Sequence, residues 1–155
     1  MNDSTQEAID RAIYVSEQVR TGATATRRDV AILADGLSAI FERTTELWAQ
    51  RFAVSGRVTI DVHEDGRASR TLEFRRREKG WAFLIGTWPE SGTGLIASTP
   101  FENAPLCLRI LAANSLTALE AHLEESATPQ ALDLAGAFEN ARAPLGRSTD
   151  PGGAA

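Results

Sequence analysis

Few side chains in this sequence are spaced as chemistry requires. His63-Glu64-Asp65 offers an imidazole beside two carboxylates, the raw material of a metal or acid–base site. A catalytic metal needs about three protein ligands with groups behind them to orient them. The only other histidine, His122, is far away in sequence. The triplet instead immediately precedes Gly66, where polar turn residues belong. His122 stands beside Glu124 and Glu125, and the periodicity puts it in the last turn of a helix, where a histidine complements the dipole. Cys107, the single cysteine, falls in Pro105-Leu106-Cys107-Leu108 with no base supplied nearby. The apolar context predicts a small buried hydrophobe rather than a nucleophile. The glycines at 86, 92 and 94 surround Trp88-Pro89-Glu90-Ser91 without a phosphate-loop or dinucleotide spacing, so this stretch reads as a connection between strands. No catalytic residue, metal ligand or cofactor site is assigned.

The most informative cluster is basic. Arg67, Arg70, Arg75, Arg76, Arg77 and Lys79 lie on and beside one hairpin, ahead of Trp81. Residues 1–50 carry 5 basic and 8 acidic side chains, residues 51–79 carry 8 and 5, and residues 80–155 carry 3 and 8. One basic segment therefore sits in a chain of net charge −5. Arginine forks suit carboxylates and phosphates. On a continuous strand, however, Arg75 and Arg77 face one side and Arg76 the other. Charges at a strand end also simply discourage unwanted pairing. The candidate interaction surface is Arg67, Arg70, Arg75, Arg77, Lys79 and Trp88.

The elements that must position these residues follow from the hydrophobic period. Ser4 with Glu7 and Thr26 with Asp29 have capping-box spacing, each ahead of a helical pattern, and Gly22 separates the two helices. In the second helix Val30, Leu33, Leu37, Ile40 and Leu47, with Trp48, form a heptad-like seam, a candidate dimer or core surface. After Ser55-Gly56 the period drops to two. Val58, Ile60 and Val62 alternate with polar residues, Asp65-Gly66 signals a hairpin, and 71–74 returns. Trp81 to Ile85 is apolar on both faces and so predicts a central strand, and Leu95 to Ser98 a short fourth. Leu108, Ala112, Leu116, Leu119 and Leu123 then mark one helix, and Thr128-Pro129 opens a last one ending near Ala143.

The predicted class is α+β, a two-layer sandwich with a four-stranded antiparallel meander flanked by helices in the order ααββββαα. Residues 1–143 form one domain, and 144–155, rich in Gly, Pro, Ser and Ala, a disordered tail. The 155 residues suffice for a core without staples, and no apolar run approaches the ~18 needed to span a bilayer. One cysteine, an N-terminus without a signal-like start and an acidic balance point to the cytoplasm, with no membrane partner. The functional expectation is a non-enzymatic protein-interaction module, of adaptor, chaperone, immunity or regulatory-subunit type. The surplus apolar helix surface adds a homodimer, with a further protein partner. The alternatives are a nucleic-acid-associated module using the hairpin 67–79, and a ligand-binding or enzymatic domain with a sheet–helix pocket.

Overall fold

The computed structural model describes residues 3–62 and 66–149, so the His63-Glu64-Asp65 triplet lies outside the described residues. The protein is α+β, with helices α1 (Asp3–Arg20) and α2 (Arg27–Arg51), strands β1 (Gly56–Val62), β2 (Ala68–Arg77), β3 (Gly80–Pro89) and β4 (Ala97–Pro100), and helices α3 (Leu106–Asn114) and α4 (Leu116–Thr149).

Local signals account for most boundaries. Both bonds of the Thr26 capping box form: Asp29 N–H donates to Thr26 Oγ1 and Thr26 N–H to the Asp29 carboxylate. At the end of α1, Gly22 takes φ +102 while Gly22 N–H bonds Val19 O and Ala23 N–H bonds Gln18 O. That pair of bonds is the Schellman ending, which requires the left-handed glycine. Gly36 lets the two helices close on each other, because a Cβ there would overlap the Ala12 side chain. Arg43 also donates to Gln6 Oε1 at 2.7 Å. Residue 36 meeting 12 while 43 meets 6 makes the helices antiparallel. The principal neighbour of α1 is thus α2, not the sheet.

The sheet is an antiparallel meander in the order β1-β2-β3-β4, which makes β3 internal, as its two apolar faces predict. β2 and β3 pair over ten positions, from Ala68↔Pro89 to Arg77↔Gly80, and so run well past the predicted 71–74 and 81–85. One face carries the core: Leu72, Phe74, Phe83 and Ile85 meet Phe41 and Trp48 of α2, its C-cap Phe52, Ala112 of α3, and Leu119 and Leu123 of α4. A 3-10 turn at Phe101–Asn103, which no periodicity announces, inserts Phe101 into this core, stacked on Phe41 with ring centroids 3.7 Å apart.

The C-terminal helices depart from the expected pattern. The predicted single helix from Pro105 breaks at Ser115 (φ −102, ψ 0), whose N–H caps α3 through Ala112 O and Ala113 O. The predicted break at Thr128-Pro129 does not occur, and α4 runs through Pro129 and Pro144 to Thr149. Serine and threonine hydroxyls brace the approach to Pro129, with Ser126 Oγ donating to His122 O (2.9 Å) and Thr128 Oγ1 to Glu124 O (3.3 Å). The helix takes in residues 144–149 of the stretch read as a tail; 150–155 lie outside the described residues. His122 is consequently mid-helix, beside Gly56, rather than at a helix end. Cys107 is exposed on α3 rather than buried.

Candidate binding surface on the second face of the sheet

Strand alternation sends Thr71, Glu73, Arg75 and Arg77 of β2 to the face opposite the core. The register sets Leu84, Ala82 and Gly80 of β3 beside Glu73, Arg75 and Arg77, and Arg57 of β1 beside Glu73 on its other side. This face has a buried patch of its own, made of Thr71, Glu73 and Leu84.

Of the six residues singled out from sequence, Arg75, Arg77 and Lys79 come together. They border a cavity of about 860 Å³ with Ala82, Leu84 and Leu95, at the end of the β2–β3 hairpin. Arg76, Glu78 and Trp81 line it too, so the cations share the lining with one carboxylate, and at the hairpin end Arg76 joins Arg75 and Arg77 around one cavity although the strand continues through all three. Arg67 and Arg70 do not join it. β2 is 10 residues long, so its far end lies about 30 Å away. Arg70 also falls on the alternate side of the strand and pairs there with Asp61 at 3.2 Å. Trp88 shares the face but not the cavity.

Trp88 belongs to a second, smaller constellation. Its indole N–H donates to Thr71 Oγ1 at 2.9 Å, and the Arg57 guanidinium lies over its ring, 3.4 Å from the centroid. Arg57 also donates to Gly92 O at 3.2 Å, tying the β3–β4 loop to β1 across the sheet. Beside this latch the Glu73 side chain is only 3% exposed. One of its oxygens is 3.7 Å from Arg75 Nη1; the other, Oε2, is buried without a hydrogen-bond partner. Gly86 makes room for it, since a Cβ at that position would overlap Glu73 Oε2. Arg57, Glu73, Arg75, Trp88 and His122 line a shallow cavity of about 290 Å³, with Arg75 bordering both cavities. Sequence reading missed Arg57, Glu73 and Leu95. Their grouping depends on cross-strand register and on a loop folding back.

The α2 seam divides by depth. Trp48 is in the core. Leu33, Leu37 and Ile40 line a groove against α1, and Val30 and Leu47 are exposed. Among the described residues no group of three or more His, Cys, Asp or Glu converges as a metal site, and no helix is long and apolar enough to cross a membrane. No known family model matches the chain, and neither a curated protein nor a solved structure resembles it.

Proposed function

We propose that the protein is a non-enzymatic protein-interaction module, cytoplasmic and homodimeric, that takes an acidic and partly apolar segment of another protein at the hairpin-end cavity. The observation that carries this reading is the composition of that cavity. Arg75, Arg76, Arg77 and Lys79, against the single carboxylate of Glu78, share the lining with Ala82, Leu84 and Leu95, in a chain whose net charge is −5. Such a lining favours carboxylates beside its cations and apolar side chains beside its leucines, the division of labour typical of protein interfaces. Cytoplasmic placement fits a chain with one cysteine, which leaves no intrachain disulfide.

The nucleic-acid reading stands second, because single-strand recognition needs aromatic faces on which bases stack. Trp81 uses one face to stack on Phe74 (centroids 4.9 Å apart), and Trp88 carries Arg57 across its ring.

The test is a tagged pull-down from the native host with the full chain and with the Arg75→Glu/Arg77→Glu variant, each with and without nuclease. The reading expects a stoichiometric protein that survives nuclease and is lost with the variant. Recovery that the variant leaves unchanged overturns the assignment of the site, and recovery that vanishes with nuclease moves the arginines to nucleic acid.

A further inference from the structure

Most of the strongly exposed apolar side chains sit on two surfaces. Ile13, Tyr14, Val30, Ile40 and Leu47 lie on the α1/α2 hairpin, and Leu132, Leu134, Phe138 and Leu145 on the C-terminal half of α4. Part of the first surface is concave: Ile13 and Ile40, with Ile9, Ala12, Leu33 and Leu37, line a groove of about 480 Å³ between the two helices, while Tyr14, Val30 and Leu47 lie outside it. The second belongs to a helix of 34 residues, about 51 Å long, in which every described residue from Thr128 to Gly146 is exposed.

The exposed half of α4 is patterned. Ala127, Ala131, Leu134, Phe138, Ala141 and Leu145 follow each other at steps of four and three. At about 100° per residue they fall within one sector of the helix, the same sector that carries Leu119 and Leu123 into the core. The face that packs against the sheet therefore continues beyond the domain. A long amphipathic helix gets most of its stability from packing that face.

Resting on the homodimer reading above, we infer that two copies exchange these helices: the Leu134–Leu145 seam of each copy lies in the α1/α2 groove of the other. The dimensions agree. The groove lining runs from Ile9 to Arg20 on α1, and the seam from Leu134 to Leu145. Each is eleven steps of helix, roughly 16 Å. Charge does not oppose the fit. The groove carries Glu17 and Arg20, and between 134 and 145 α4 carries Glu139 and Arg142, which pair with each other at 3.0 Å. The area is modest. At roughly 16 Å length and ~10 Å width each contact covers on the order of 160 Å², and counting both sides of two such contacts gives roughly 640 Å², the scale of a weak, reversible dimer. A two-fold exchange is closed, so it covers the groove and the seam of both copies without propagating into a fibre.

The test uses the full chain carrying Cys107→Ser, which removes the exposed native thiol. Ile13→Cys and Phe138→Cys are made separately and co-expressed, and the purified mixture is exposed to a mild oxidant. The inference expects a cross-linked dimer containing one chain of each kind, with neither variant cross-linking strongly alone. A 138–138 cross-link in the Phe138→Cys protein alone overturns it in favour of two α4 helices paired along their own seams. Sedimentation of the unsubstituted chain separates this result from the broader reading. A dimer without the 13–138 cross-link overturns the exchange and leaves the homodimer standing; a monomer at micromolar concentration overturns both. As a second variant pair that needs no cysteine, Ile13→Glu and Phe138→Glu are each expected to weaken association at least tenfold, with the near-ultraviolet circular dichroism of the buried core aromatics checked for folding.

Discussion

A buried carboxylate with one oxygen unmatched is costly, because removing a charge from water is repaid only by good partners. Glu73 is held in this condition by its neighbours: Gly86 beneath it, and the latched Trp88 and Arg57 beside it. Gly86→Ala should therefore cost about 1–3 kcal/mol, the usual range for forcing an extra group into a packed site. In the Glu73→Ala background most of that cost should vanish, since the pair is coupled by direct contact. Urea unfolding of the four proteins in the cycle reads this directly. An equal cost in both backgrounds would place the clash with Thr71 Oγ1 or Trp88 Nε1, each 3.0 Å from the added carbon. At this scale the sequence was least informative. Trp88 stood out as a residue type, but Arg57 is 31 positions away in the chain, and only pairing through β2 and the folding back of the 90–96 loop brings it over the indole. Arg75 and Arg77 were recognisable as a same-side pair on condition that the strand continued, and β2 continues to Arg77.

The start of α2 and the strand alternation were legible because they are set by local bonds and local period; Ser4, read as a cap, lies inside α1. The Thr26 capping box is an example, and Thr26→Ala should lower stability by about 1 kcal/mol in thermal or urea unfolding. Gly36 tests a conflict between local and tertiary preferences. Alanine is favoured over glycine by about 1 kcal/mol inside a helix. Here the added methyl would overlap Ala12 at the closest approach of α1 and α2. The overlap is expected to win, so Gly36→Ala should lower the melting temperature by roughly 2–4 °C per kcal/mol lost. A rise would mean that α1 shifts outward without penalty. What the sequence hid at this scale was the articulation of the C-terminal helices. Asn114-Ser115 breaks the helix with neither glycine nor proline, and Pro129 and Pro144, ordinarily helix punctuation, sit inside α4. Leu119 and Leu123 anchor α4 in the core, and Arg51 pairs with both Glu120 and Glu124 at its base. Exposed pairs of this kind are each worth under about 1 kcal/mol. The core leucines therefore do most to hold the helix in place.

For the whole molecule, the order ααββββαα and the antiparallel meander were readable from changes of period along the chain. Which apolar helix surface faces the domain and which faces outward was not, because periodicity marks a face without naming its partner. If the outward half of α4 is stabilised by a second copy, Phe138→Glu should reduce helical circular dichroism as well as association. Unchanged helicity in a monomeric variant would show that this half of the helix stands unaided. The protruding helix also governs how the molecule moves through water. The chain's accessible surface is 10565 Å², against roughly 7,600 Å² for a compact protein of this mass. A lone copy is thus a rod attached to a ball, with high hydrodynamic drag for its mass. Folding two such rods inward yields a rounder particle. Pairing should therefore raise the sedimentation coefficient by more than doubling the mass of a sphere would, and the frictional ratio should fall as the protein is concentrated.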